Sequence, residues 1–265
     1  MYQLPLRKKI LLNKYIGETP LQVIERFKAT HPRYASVPAT YAGRLDPMAS
    51  GKLLVLFGEA CKNKEQYIRL DKQYVVEILL DVSSDTGDIL GIVDTTADSH
   101  QTIVSRKEIQ EVLKKEIGTF TRTYPAFSSK TVDGKPLFLH SLEGTLDTIT
   151  MPTHEETIYT ISLLDISTVS STLLATHIDN TLSLAPVSNE ASKALGADFR
   201  IADVRSSWLS TLEEPREFTV VKIKVTCGSG AYMRTLAERV GEAVGARALA
   251  LSIHRTHIGK RNILW

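Results

Sequence analysis

The sequence predicts an α+β fold, and three observations carry the prediction. Residues 72–81 alternate apolar and polar, with Tyr74, Val76, Ile78 and Leu80 on one side, the period of a strand. Residues 105–117 place Ile109, Val112, Leu113 and Ile117 at helical spacing behind a Ser105–Glu108 capping pair. Strand-like and helix-like segments then follow one another without strict β-α-β alternation, which argues against a doubly wound parallel sheet.

Taken in order, residues 8–13 read as a short strand. Thr19 and Pro20 open a helix as N-cap and first helical residue, and Leu21, Val23, Ile24 and Phe27 follow at helical spacing. Residues 31–51, rich in Pro, Ala, Ser and Gly, read as loop, and 52–57 as a short apolar strand. After the strand at 72–81, residues 83–91 carry turn residues, with a partner strand expected beyond them. The helix opened by Ser105 stops at Gly118. Residues 123–135 read as a second polar loop, 158–166 and 218–225 as strands, 231–244 as a helix, and 249–257 as a closing strand. No internal repeat or low-complexity tract is present.

The 265 residues suffice for one large domain, or for one domain with a sizeable insertion. A formal net charge of +2 gives no global field for nucleic acid, so any nucleic-acid-binding surface has to be a local patch. Cys61 and Cys227 lie far apart, which speaks against a disulfide framework or a zinc site. The first residues lack a continuous apolar run, so no signal peptide or membrane span is expected and the default compartment is the cytoplasm. His254 and His257, three apart on a predicted strand, should face opposite ways and so make no metal pair.

Two stretches carry chemistry. The first is Tyr41-Ala-Gly-Arg-Leu-Asp-Pro-Met-Ala-Ser-Gly51, followed by Gly58-Glu-Ala-Cys-Lys62. Read locally, Asp46-Pro47 is an N-cap followed by proline at the first helical position, with Gly51 as a stop. The same rigid turn also suits an aspartate that faces a ligand. The second runs from Val225 through Cys227-Gly-Ser-Gly-Ala-Tyr-Met-Arg234 to Gly241. A dinucleotide-binding loop would want glycine where Met233 stands and a βαβ unit around it, and neither is found. Read locally, Arg234 is an ordinary charge on a helix surface.

Together these stretches resemble the TruB family of tRNA pseudouridine synthases. The first is similar to the family's Gly-His-Thr-Gly-x-Leu-Asp-Pro-x-Ala-x-Gly and Gly-Glu-Ala-Thr-Lys, the second to its Cys-x-x-Gly-Thr-Tyr-Ile-Arg-x-Leu. Lys72-Gln-Tyr74 resembles the family's Lys-x-Tyr strand, and Tyr124 to Lys130 its Pro-x-x-Ser-Ala-x-Lys loop. Lys14 resembles an early Asp-Lys, and Ile253 stands where a leucine lines the family's base pocket. The matches run in order from Lys14 to His257, interrupted once. The resemblance implies a pseudouridine synthase fold, a mixed and mainly antiparallel central sheet flanked by helices and loops. It implies catalytic roles for Asp46, Tyr74 and Arg234, and substrate contacts for Tyr41, Arg44, Ile253, Lys14 and Lys130. The substrate is expected to be the T-arm of tRNA, at uridine 55, with no cofactor, no metal, no obligatory protein partner and a monomeric state; the alternatives are a synthase for another RNA and a catalytically silent RNA-binding or tRNA-folding protein.

Departures are visible. Tyr41 replaces the family's histidine, and Arg44 replaces a small residue, giving the Gly-Arg-Leu-Asp typical of ribosomal pseudouridine synthases. On an extended segment Arg44 and Asp46 would point the same way. Residues 168–215 have no counterpart and read as a helical insertion, with 189–214 helical and Leu195, Phe199, Ile201, Val204, Trp208 and Leu212 as its stripe. Residues 1–167 and 216–265 then form the catalytic domain. The C-terminal PUA module common in the family is expected to be absent, with the insertion supplying some of the RNA contact.

The expected reaction breaks an N-glycosidic bond, turns the uracil and rejoins it through C5, with no net redox change. An aspartate serves either as nucleophile at C1′ or as base toward the 2′ proton, and both routes need it ionised. In a dry cleft that requires a cation beside it, and Arg234 is the candidate.

Overall fold

The computed structural model describes residues 5–94, 101–185 and 200–260, with backbone for 263–264. Strand β1 (Lys9–Lys14) leads to helix α1 (Pro20–Thr30), whose start is the expected one: Thr19 and Gln22 form a reciprocal capping box, with Pro20 in the first turn. Residues 31–51 are not all loop. Strand β2 (Ala39–Ala42) pairs antiparallel with β3 (Ser50–Phe57). Leu53, Val55 and Phe57 of β3 pack under α1, while Leu54 and Leu56 face the opposite side. Burial on both faces explains why this strand reads as an unbroken apolar run. A 3-10 stretch and the short helix α2 (Lys64–Ile68) then lead into β4 (Asp71–Leu80), which buries Tyr74, Val76, Ile78 and Leu80 as the alternation required.

The turn residues after β4 form a compact loop closed by the bridge between Ser84 and Val93. The described part of the chain, through residue 94, holds this bridge in place of the expected partner strand. Helix α3 (Arg106–Lys115) carries the Ser105–Glu108 capping box. Gly118 does more than stop it: at φ +140° it opens β5 (Gly118–Thr123). The polar loop beyond holds the two-residue strands β6 (Thr131–Val132) and β7 (Lys135–Pro136), followed by α4 (Leu137–Leu142). Strand β8 (Thr153–Ser170) is twice the expected length. Its polar residues alternate outward over the far half, where it pairs with β9 (Glu217–Cys227).

The insertion therefore begins as strand, and its helices are α5 (Ser171–Ser183) and α6 (Ile201–Thr211). Of the predicted stripe, Leu195 and Phe199 lie outside the described residues. Val204 and Trp208 are buried, together with Leu174, Ile178 and Leu182 of α5, in the same core cluster as Tyr74, Val76 and Leu236. Trp208 also donates its indole N–H to the Ile89 carbonyl at 3.1 Å. The segment thus closes the main core and is not a detachable addition to it.

Helix α7 (Met233–Ala243) packs on β10 (Ala248–Lys260), and β11 (Ile263–Leu264) pairs with the end of β10. The main sheet runs in the order β1-β3-β10-β4-β9-β8-β5 and is antiparallel throughout except for the short β3–β10 junction. A bulge in β10 lets Arg255 pair with Tyr74 and His257 with Gln73. That extra residue places His254 and His257 on the same face, correcting the expectation from simple alternation. His254 there meets Ser50 at 2.9 Å. Among the described residues no group of three or more metal-ligating side chains comes together, and no helix is long and apolar enough to cross a membrane.

Candidate active site

Asp46 lies on the connection between β2 and β3. Pro47 does not start a helix there. The Ala49 amide returns to the Asp46 carbonyl at 3.0 Å, so Asp46 opens a β-turn with proline at its second position. Leu45, Met48 and Ala49 are buried on either side and peg this turn into the core. Beneath it lies Lys14, 1% exposed, whose ammonium donates to the carbonyls of Tyr15 (3.1 Å), Pro47 (3.2 Å) and Ala49 (2.6 Å). Burial draws this lysine down to about 8, partly countered by the Asp46 charge. Its three donors are spent on backbone, so it holds the turn and presents nothing to a ligand in this arrangement.

Arg234 reaches the turn from the first turn of α7. Its side chain is 4% exposed, and Nε meets Asp46 Oδ2 at 2.9 Å. The other guanidinium nitrogens donate to the carbonyls of Thr86 and Phe127, the latter at 2.9 Å. Each of the three guanidinium nitrogens thus donates one bond, which fixes both the arginine and the carboxylate it holds. Far from being a surface charge, Arg234 is one of the best-buried polar residues described.

A second carboxylate faces the same guanidinium. Asp88, 5% exposed, stands 3.6 Å from Arg234 Nε and accepts the Leu90 amide (2.9 Å) and the Thr86 hydroxyl (3.0 Å). Burial pushes its carboxyl up to about 6, against the pull of Arg234. Asp46, by contrast, leaves 42% of its side chain exposed. One arginine thus holds two carboxylates, one sealed and one open to a substrate.

Tyr74 sits on β4 between Val225 of β9 and Arg255 of β10, and is 8% exposed. Burial raises its phenol above the ordinary value, so at neutral pH it is a hydroxyl able to donate and not a ready base. The Asp46 charge is felt at the ring. Ile253, 5% exposed, lies two register positions away opposite Val76, in the same core cluster as Tyr74, Leu45 and Met48. Asp46, Arg234, Tyr74 and Ile253 are therefore brought together from four elements.

Arg44 is exposed, and its carbonyl accepts Arg255 Nη1 at 3.1 Å. Tyr41 turns toward the α1 side of β3, and Lys64 Nζ lies 5.2 Å from its ring centre. Lys130 is exposed, with Nζ 5.4 Å from the Tyr124 ring centre.

Two residues escaped the sequence reading. Asp88 was hidden among the turn-forming residues at 83–91, and nothing local distinguishes it from Asp85. Arg255, 1% exposed, donates to the carbonyls of Lys52 (2.7 Å), Arg44 (3.1 Å) and Gly43 (3.3 Å), bracing the approach to Asp46. An arginine at a strand position otherwise read as core was the available signal.

The architecture is shared with solved structures. A Cbf5-Nop10-Gar1 complex matches with TM-score 0.55 at 19% identity, covering 95% of this chain and 48% of that one. An H/ACA RNP bound to a substrate RNA containing 2′-deoxyuridine matches at 0.51 and 18%, with 95% and 47% covered. The chain spans about half the length of these proteins. The fold is thus of the pseudouridine synthase class.

The model of the TruB family pseudouridylate synthase N-terminal domain matches residues 34–181, and the chain belongs to that family. The tRNA pseudouridine synthase B of Bordetella pertussis is 25% identical over 250 residues, covering 94% of this chain and 80% of the relative. That of Burkholderia mallei is 27% identical, with 94% and 64% covered.

Proposed function

We propose that this pseudouridine synthase acts on tRNA at the T-loop uridine 55, with Asp46 as its essential carboxylate. One observation carries the residue assignment: the single half-open acidic group of the Asp46–Arg234–Asp88 cluster is clamped at 2.9 Å by a buried guanidinium, with a buried tyrosine close behind. The names of the bacterial relatives support tRNA as the substrate.

The target nucleoside leaves its stack, at a cost of a few kcal/mol. Its base settles beside Tyr74 and Ile253, and stacking on the ring returns about 1–3 kcal/mol. Asp46 then attacks C1′ or takes the 2′ proton, the N1–C1′ bond breaks with its electron pair leaving on the uracil, and Arg234 holds the carboxylate in place at 2.9 Å. Arg234 is already positioned by two carbonyls, so little reorganisation accompanies the chemistry. Tyr74 faces the uracil as a hydroxyl and supplies or relays a proton during its rearrangement. Lys14 and Arg255 serve as positioning residues for the turn. The enzyme works as a monomer without an obligatory protein partner.

The test is to incubate the purified protein with unmodified tRNA and map pseudouridine by carbodiimide chemistry, beside Asp46→Asn. Product at position 55 with wild type alone is expected. Binding without product from either protein would replace the proposal with an RNA-binding role, and product at another site would reassign the substrate.

A further inference from the structure

Next to the Asp46 cluster lies a group of rings that the reaction at the target base does not use. Tyr124 and His154 stand 4.3 Å apart between ring centres, with a 38° tilt. Tyr232 meets both edge-on, at 6.0 Å and 5.7 Å. All three side chains are partly exposed. Lys130 places its ammonium 5.4 Å from the Tyr124 ring centre, and Arg200 lies 4.8 Å from that of Phe127.

The group is tied to the catalytic residues through the backbone. Phe127, midway between Tyr124 and Lys130, gives its carbonyl to Arg234. Tyr232 is two residues before Arg234, its phenol pushed up to about 12 by burial, and it feels the Asp46 charge. A residue bound on these rings would therefore lie beside a nucleoside bound at Asp46.

His154 is the second observation. Both ring nitrogens are shielded from solvent and neither has a hydrogen-bond partner. A phenylalanine would provide the same flat face without leaving two polar atoms unpaired, so the imidazole costs stability in the free protein. The strand neighbour opposite is Arg122, which offers no acceptor. A ligand edge carrying a donor and an acceptor, brought against this imidazole, would supply the missing partners.

We propose that Tyr124, His154 and Tyr232 form a subsite for a nucleobase adjacent to the target uridine, with Lys130 placed for its phosphate. The base stacks on Tyr124, and its polar edge supplies the partner that His154 lacks. Stacking platforms beside cations are a common way for proteins to hold single-stranded nucleic acid. The proposal rests on the reading of the protein as an RNA uridine isomerase and adds a second, non-reacting nucleotide to what it holds.

The test uses T-arm RNAs carrying 2-aminopurine immediately 5′ or 3′ of the target, with wild type, Tyr124→Ala and His154→Phe. One probe position should change its fluorescence on binding wild type, and the change should be lost with Tyr124→Ala. His154→Phe should raise the melting temperature of the free protein while raising KM by about tenfold, with a smaller effect on kcat. Lys130→Gln should weaken binding and flatten its salt dependence. The subsite is refuted if wild type forms pseudouridine in these RNAs while neither probe position responds, or if His154→Phe leaves KM unchanged. Absence of product from wild type would count against the proposed function, and is read separately from the probe signal.

Discussion

Replacing Asp88 by asparagine should stabilise the protein at neutral pH, and the gain should vanish in acid. Asp88 is sealed beside Arg234, yet its carboxyl is pushed up from 3.8 to about 6, with burial as the largest cause. Its folded value lies above its unfolded one, so the native state binds this proton more tightly. The contribution is complete below about pH 4 and is lost as pH rises through about 6. A shift of roughly two units at 1.36 kcal/mol each comes to about 3 kcal/mol at pH 7.5. Asparagine keeps an oxygen to accept the Leu90 amide and is never charged, so it escapes the loss. Urea unfolding of both proteins between pH 4 and 8 gives the comparison directly. The variant should be more stable by about 3 kcal/mol at pH 7.5 and equal to wild type near pH 4. A difference independent of pH, or a variant less stable at pH 7.5, would refute the view that burial outweighs Arg234 at this carboxylate.

Other perturbations test neighbouring parts of the argument. Gly51 has φ +107°, and an added Cβ would lie 2.3 Å from the Arg255 carbonyl oxygen. Gly51→Ala should therefore cost at least about 2 kcal/mol, a fall of roughly 4–8 °C in Tm by thermal melting. Trp208→Ala, which empties a buried site and removes the bond to Ile89, should cost about 3–5 kcal/mol in urea unfolding. A value below about 1 kcal/mol would mean that the 168–215 segment is a detachable layer after all.

Much of the fold was legible wherever a local rule has one outcome. The capping boxes at Thr19 and Ser105 and the alternation of β4 each specify an element without help from the rest of the chain. The pairing of Asp46 with Arg234 across 188 positions was legible only through the family resemblance, since no periodicity links them. What stayed hidden depends on tertiary contact. Strand β2 is four residues long and exists because β3 offers it an edge. The far half of β8 looks polar because one side of it faces solvent, while its backbone is paired along β9. Nothing local in the sequence marks Lys14 and Lys72 as buried, yet both are, the latter donating to the Ile68 carbonyl at 2.6 Å and drawn down by burial to about 8. Backbone carbonyls, which carry no sequence signature, are what accommodate them.

The position of β10 in the sheet has a consequence for synthesis. Asp46 hangs from the β1–β3 side and Tyr74 from the β4–β9 side, and among the described strands β10 joins the two. Arg234 and β10 both leave the ribosome some two hundred residues after the loop they complete, at about 5–20 residues per second. Until then the growing polypeptide holds two unjoined sheet fragments with open edges. With Asp46, Tyr74 and Arg234 in the roles proposed, the site is completed in one late step, and an interrupted translation product lacking β10 would leave its strand edges open to aggregation.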